Sequence, residues 1–271
     1  MIAADSVSFL YPGGSPALSG LSFSIKRGEF AAVLGANGAG KTTLLKTMVG
    51  LLSPYEGDLK LAGLKVSPAN LRKLYKKVGY VFQNSDDQLF MPTVFDDVAY
   101  GPRNLGLPAD RVRELVVESL ESVGMAELAG QAIHALSAGE KKRTALAGVL
   151  AMKAEVMLLD EPTAGLDPAG VHQVMKLLKH LNKTQGLTVL MATHNVNLLP
   201  TFMDQALIMN RGKIVCQGTP SRIFESGLLG EAGLRLPEIA QLMKELELNG
   251  DRLPLTVYEA REALKGRLKK L

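Results

Sequence analysis

Residues 35–43 read Gly35-Ala36-Asn37-Gly38-Ala39-Gly40-Lys41-Thr42-Thr43, and their reading decides the fold. The apolar run Phe30-Ala31-Ala32-Val33-Leu34 comes immediately before, as a buried strand. Leu44, Leu45, Met48 and Val49 come after, at the spacing of an amphipathic helix. Gly-x-x-x-x-Gly-Lys-Thr between a strand and a helix is the Walker A pattern. Gly35, Gly38 and Gly40 let the backbone curl so that its N–H groups converge on phosphate oxygens, and the helix N-terminus adds the positive end of its dipole. Lys41 supplies charge for the β- and γ-phosphates, and the Thr42 hydroxyl is a ligand for Mg²⁺. Asn37 and Thr43 complete the nucleotide-binding set of this loop. The stretch predicts a site for a nucleoside triphosphate.

A chain of 271 residues allows one large domain, or one domain with an appendage, and can bury a full core. With 46% hydrophobic and 21% charged residues its composition is that of an ordinary globular protein. The formal charge of +4 is diluted along the chain; it suits work near an anionic surface and does not by itself indicate nucleic acid. Cys216 is the only cysteine, so no internal disulfide forms and a reducing compartment is expected. No apolar run approaches the roughly 18 residues of a membrane span, and the N-terminus carries no charged-then-apolar signal. A cytoplasmic protein is expected, with any membrane role lent by a partner.

Upstream of the loop, residues 2–11 and 21–25 alternate apolar and polar as half-buried strands do, with a turn at Pro12-Gly13-Gly14 between them. Together with the strand at 30–34 they predict an antiparallel sheet before the nucleotide loop. Tyr11, at the strand end, is placed either to stack on an adenine ring or simply to pack. Downstream, 59–61 reads as a short strand, 71–77 as a basic helix, and 78–82 as a strand that delivers Gln83 into a loop. Helices follow at 96–105 and 110–123, the second with Asp110 as its N-cap, as an insertion between two pieces of a parallel sheet. Ser137 to Glu140 has capping-box spacing and opens a helix that runs to about Met152. The apolar strand 156–159 ends in Asp160-Glu161, a helix covers 171–184, and a buried strand at 188–192 leads to Thr193-His194. Asn210-Arg211-Gly212 marks a hairpin turn. From Phe224 onward, glycines lead into amphipathic helices near 237–248 and 257–271, with Leu242, Leu246, Leu264 and Leu268 on their apolar faces.

Two acids at the end of an apolar strand, downstream of a phosphate loop, divide the work of ATP hydrolysis. Asp160 is placed to hold Mg²⁺, directly or through water, and Glu161 to polarise the attacking water.

From residue 1 to about 225 the sequence resembles the ATP-binding cassette ATPases, on six motifs in the family's order. These are GANGAGKT, the Q-loop Val81-Phe82-Gln83, the signature Leu136-Ser137-Ala138-Gly139-Glu140, Walker B VMLLDE, the D-loop AGLD, and the switch histidine in Ala192-Thr193-His194. The resemblance implies an α/β fold: a P-loop NTPase core with a mixed sheet, an antiparallel β subdomain, and an α-helical subdomain at about 84–152. That nucleotide-binding domain spans 1–225, and 226–271 forms a C-terminal helical appendage and possible dimerisation element. It implies that Gln83 contacts the metal and the nucleophilic water and senses a membrane partner. It also implies that His194 contacts the γ-phosphate, that Tyr11 stacks on adenine and that Asp167 joins the nucleotide site. The family's signature reads LSGGQ; here Ala138 adds a methyl where the backbone approaches closely, while Ser137 and Gly139 at the helix N-terminus still present donors to a γ-phosphate. In this family two copies close head to tail, each ATP lying between Walker A of one and the signature of the other. His134, His172 and His180 match no motif and are expected to be structural or solvated.

Within the family, the loop from Phe82 to Leu107 is similar to that of energy-coupling-factor importer ATPases, with Asp86, Asp87 and Gln88 just after the Q-loop. LAGVLAM (146–152), THNVNLLP (193–200) and Leu236-Pro237-Glu238 resemble the cobalt- and nickel-type branch. The resemblance implies a motor on the cytoplasmic face of the membrane, working as a homodimer or with a closely related second ATPase. Its cofactors would be ATP and Mg²⁺, and its cargo a divalent transition-metal ion. Integral membrane subunits would dock near residues 84–102, where Leu89, Phe90, Met91, Val94 and Phe95 suggest an apolar socket and the basic 72–77 stretch lies near headgroups. A vitamin importer is the alternative cargo reading. A soluble cassette acting on nucleic acid or ribosomes, or a P-loop kinase, leaves the single cassette, the signature or His194 unaccounted for, and no nucleic-acid partner is expected.

Overall fold

The structure is a computed structural model that describes residues 1–248 and 253–268, with side chains described through Lys265. The chain opens with β1 (Ile2–Leu10), β2 (Pro16–Ile25) and β3 (Phe30–Leu34), then α1 (Lys41–Met48), β4 (Glu56–Leu61), β5 (Leu64–Lys65), α2 (Leu71–Leu74) and β6 (Val78–Val81). Three helices follow, α3 (Val94–Asn104), α4 (Ala109–Ser122) and α5 (Ala138–Ala151), before the chain returns to β7 (Val156–Asp160), α6 (Pro168–Gln185) and β8 (Thr188–Thr193). The last elements are α7 (Leu199–Phe202), β9 (Gln205–Asn210), β10 (Lys213–Gly218), α8 (Pro220–Glu225), α9 (Glu238–Glu245) and α10 (Val257–Leu268).

Two sheets form. One is antiparallel, in the order β2-β1-β4-β5; the other has six strands in the order β10-β9-β3-β8-β7-β6, parallel except for the β9–β10 hairpin. The expectation that residues 30–34 join the antiparallel sheet is corrected: β3 pairs with β8 and β9 in the six-stranded sheet, and β4 takes the place beside β1. The reason is burial on both faces. All five residues of β3 are buried, as are those of β7 and β8, whereas β1 and β2 alternate and leave one face to solvent. Alternate residues of β3 feed different cores. Ala31 and Val33 pack with Ile2, Leu21 and Ile25 between the sheets, while Phe30, Ala32 and Leu34 pack on the other face with Met175 and Leu178.

Parallel pairing brings four strand ends to one edge, where an open α/β sheet binds its ligands. Leu34 pairs with Thr193, Asp160 with Ala192 and Val81 with Leu159, so the phosphate loop, Glu161, His194 and Gln83 all leave the sheet side by side. Because β6 and β7 are neighbours, the helical segment between them leaves and re-enters the sheet at adjacent strands. It is held by Val98, Val112, Val116, Leu120, Leu146 and Leu150, all buried.

Several local expectations are corrected by tertiary context. Pro108, extended at ψ 152°, takes the N-cap position of α4, and Asp110 sits inside the first turn, where its charge favours the dipole without capping it. The basic helix ends at Leu74: the Lys77 N–H turns to the Leu74 carbonyl at 2.8 Å in place of a helical i→i−4 bond, and the Lys77 carbonyl accepts from the N–H groups of Glu155 and Val156 at the entry to β7. Tyr11 lies one residue beyond β1. Of the expected socket, Leu89 and Val94 are buried in the core and Phe95 packs against it; Phe90 projects, 63% exposed, with its ring edge-to-face on Tyr100 at 4.8 Å.

In the tail, Leu229, Leu234, Ala240 and Leu255 pack into the larger core with the cassette's own helices. Leu242 and Leu246 of the expected apolar face stay exposed, at 50% and 54%, as does Leu264. The Leu268 side chain and Leu271 lie outside the described residues.

Candidate nucleotide site

The phosphate loop is shaped by close backbone packing. Gly40, at φ 104°, ends the loop and begins α1; a Cβ there would stand 2.8 Å from the Ala17 carbonyl oxygen, and one on Gly35 would stand 2.5 Å from that of Met209. Neither carbonyl can retreat without breaking its strand, so both positions need glycine. Gly35 is not among the residues that line the cleft. Its carbonyl accepts from Lys41 Nζ at 2.8 Å, and that of Ala36 accepts from the same ammonium at 3.2 Å.

Around this loop the strand ends converge. Lys41 Nζ stands 3.6 Å from Glu161 Oε1, and His194 Nδ1 stands 3.0 Å from the same oxygen. Glu161 is buried and holds φ 45°, the left-handed region that a side-chain-bearing residue seldom adopts. One residue earlier, Asp160 is 2% exposed and has both oxygens engaged: Thr42 Oγ1 donates to Oδ1 and the Tyr80 hydroxyl to Oδ2, each at 3.1 Å. Burial, then the Asp160 charge, push the Tyr80 phenol up, so it stays a donor.

A cleft of about 690 Å³ opens above these groups, a size suited to a nucleotide. It is lined by Asn37, Gly38, Gly40, Lys41, Thr42, Thr43, Gln83, Glu161 and His194, with Tyr11 at its far end. Tyr11 is braced by an edge-to-face contact with Phe9 at 5.1 Å, and its hydroxyl lies 3.1 Å from Thr43 Oγ1. Asp160 joins through Thr42. Ser137, Gly139 and Asp167 lie outside this cleft. Ser137 caps α5 in a capping box with Glu140, whose carboxyl is held below its usual range by the hydroxyl and then the N–H of Ser137. Asp167 caps α6, Oδ1 accepting from Gly170 N–H at 2.7 Å.

Thr42, Asp160 and Gln83 offer only oxygen donors, as a hard divalent cation requires. Among the described residues no three His, Cys, Asp or Glu side chains gather into a metal site of their own. Mg²⁺ keeps several waters and draws further ligands from phosphates, so a few protein oxygens suffice to hold it.

Among the residues at the site that the sequence does not mark are two polar side chains, Arg211 and Tyr80. Arg211 lines the cleft from the tip of the β9–β10 hairpin, at φ 45°. The next residue pins that tip: Gly212 N–H donates to the Ala39 carbonyl at 2.9 Å, and the Gly212 carbonyl accepts from Ser19 N–H at 2.8 Å. In the sequence Arg211 shows only as part of a turn, and Tyr80 only as a strand residue; nothing local marks either.

A family model described as "ABC transporter" matches residues 18–164. The energy-coupling factor transporter ATP-binding protein EcfA of Methanothermobacter thermautotrophicus is 47% identical over 253 residues, covering 92% of this chain and 81% of that one. Its namesake in Methanocaldococcus jannaschii is 44% identical over 276 residues, 99% and 98% of the two chains. Among solved structures, cbiO1 from Clostridium perfringens, described as part of the ABC transporter complex cbiONQ, superposes with a TM-score of 0.78 at 40% identity, over 90% of this chain and 98% of that one. The ATP-binding cassette MJ0796, a dimer in a post-hydrolysis state with ADP and Pi, superposes with a TM-score of 0.72 at 27% identity, over 81% and 99%. With the Walker loop, Glu161 and His194 around one cleft and Asp160 tied to it through Thr42, the chain belongs to the ABC transporter family as an ATP-binding cassette ATPase that uses ATP and Mg²⁺.

Proposed function

We propose that the chain is the ATP-hydrolysing motor of an energy-coupling-factor importer, driving uptake of a divalent transition-metal ion, cobalt or nickel, through separate membrane subunits. The observation that carries the motor reading is Glu161: buried, strained, and held between Lys41 Nζ and His194 Nδ1 on the cleft floor. A carboxylate fixed there polarises a water aimed at the γ-phosphate. Lys41 turns its charge from the loop carbonyls to the phosphates, and His194 takes a γ-phosphate oxygen. Mg²⁺, held by Thr42, Gln83 and, directly or through water, Asp160, supplies charge neutralisation when bound. Tyr11 stacks on the adenine. Ser137 and Gly139, at the N-terminus of α5, and Asp167 serve the nucleotide of a second copy, so the working unit is a homodimer or a pair with a closely related ATPase.

The exposed Phe90–Tyr100 pair supports docking of the membrane subunits near residues 84–102. Asp97 stiffens that surface by accepting the N–H groups of Phe90 and Met91 at 2.9 and 3.0 Å, its carboxyl pushed up by burial against the pull of those bonds. In this reading the motor works at the cytoplasmic face of the membrane; none of the described helices is long and apolar enough to cross one. The metal cargo is supported by the stretches similar to the cobalt- and nickel-type branch and by the likeness to cbiO1.

Glu161→Gln tests the motor. It keeps the side chain's shape, so ATP binding survives, while turnover falls about 10²–10⁴-fold. Turnover within twofold of wild type removes Glu161 as the base. Cargo is tested by reconstitution with the co-purifying membrane subunits: ATP-dependent uptake of Co²⁺ or Ni²⁺ is expected, and vitamin uptake in its place overturns the metal assignment.

A further inference from the structure

We infer that Lys142 is a positioning residue for Gln83, locking the backbone that carries this glutamine to the helix that begins at Ser137. The inference rests on the role proposed above for Gln83. Lys142 lies on α5, 3% exposed, and its Nζ donates to the carbonyls of Phe82 at 3.3 Å and Gln83 at 2.5 Å. Burial lowers its pKa, against the favourable charge of nearby Asp160. An ammonium out of water carries a desolvation penalty that an aliphatic side chain in the same space avoids. What the charge gains is a grip on two successive carbonyls where β6 has ended at Val81 and no ladder partner takes them.

A second side chain makes the same connection from the other side. Gln88 Oε1 accepts from the Phe82 N–H at 3.0 Å while its Nε2 donates to the Ala145 carbonyl of α5 at 3.2 Å. Lys141 of α5 adds an ion pair to Asp86 at 2.7 Å. Three polar connections thus join one loop to one helix, and Ser137 is that helix's N-cap. A displacement that the membrane subunits impose on the loop around Gln83 is carried by a rigid helix to Ser137. Since Ser137 serves the nucleotide of the second copy, the clip makes Gln83 of one site and the signature of the other move together.

The test is a double-mutant cycle on the full-length chain, read by steady-state hydrolysis of Mg-ATP. Lys142→Met removes the donors at nearly constant length. It is expected to lower kcat about ten- to a hundredfold, as loss of a positioning contact does, with KM for ATP within twofold. Lys142→Arg, which keeps the donors, restores part of kcat. In a Gln83→Ala background, Lys142→Met should change nothing further. Equal losses in the two backgrounds, or a raised KM at unchanged kcat, overturn the inference while leaving the role of Gln83 standing. A Gln83→Ala chain with wild-type turnover defeats both. Should Lys142→Met fail to fold, Gln88→Met takes its place in the cycle: a kcat loss absent from the Gln83→Ala background supports the clip, and an additive loss or none refutes it.

Discussion

Tyr80→Phe removes a single oxygen beside the nucleotide cleft, the one that serves the second oxygen of Asp160. The phenol donates to Asp160 Oδ2 at 3.1 Å, and Thr42 already serves Oδ1. Asp160 is 2% exposed, so water cannot replace the lost donor without opening the site. The ring is unaffected, since its edge-to-face contact with Phe82, at 4.7 Å between centroids, does not use the hydroxyl. What remains is a buried acceptor without a partner, which costs about 1–3 kcal/mol and more when the acceptor is charged. For a carboxylate the upper part of that range applies, about 2–3 kcal/mol, or a factor of about 30–150 in the folding equilibrium. Urea denaturation without nucleotide is the assay. At a slope of about 2–3 kcal/mol/M the midpoint should fall by about 1 M with the slope unchanged. Because Asp160 belongs to the proposed Mg²⁺ site, half-maximal turnover should also need more Mg²⁺. An unchanged midpoint would show that the phenol contributes nothing to holding Asp160.

Ser137→Ala should cripple hydrolysis while the isolated chain binds ATP within twofold of wild type, whereas Lys41→Ala should lose nucleotide binding itself. Fluorescent-nucleotide titration beside phosphate release separates the two, and equal binding losses would defeat a site shared between copies. Arg211→Ala should weaken ATP binding about three- to tenfold, more at low salt than at high salt, as an exposed cation facing phosphate does; salt-independent, wild-type affinity would exclude Arg211 from the site. Leu242→Glu with Leu246→Glu should weaken association of nucleotide-free chains in sedimentation, and an unchanged dimer rejects the tail as a dimerisation element. These substitutions serve better than truncation near Gly227, which would also strip Leu229, Leu234 and Ala240 from the cassette's core.

What the sequence determined alone is what neighbouring residues determine among themselves. The Walker loop is contiguous, and its glycines, Lys41 and Thr42 sit in a strand–turn–helix context complete within twenty residues. The capping box at Ser137 is closed by Glu140, three positions on. The acids at 160 and 161 and the histidine at 194 were legible because each ends an apolar strand. The tertiary structure decided everything that depends on which strand lies beside which. Whether β3 belonged with β1 or with β8 could not be read from its own residues, because pairing is settled by the second apolar face that FAAVL must bury. The same pairing decided that Tyr80 on β6 reaches Asp160 on β7, and that a hairpin tip brings Arg211 to the phosphate loop. Packing separated buried Leu89 and Val94 from exposed Phe90, a distinction that loop hydrophobicity does not contain. It also placed a buried lysine on the carbonyls of the Gln83 loop, sixty residues away in sequence. Contacts of that kind follow from the free energy of the assembled core, and no local stretch of the chain encodes them.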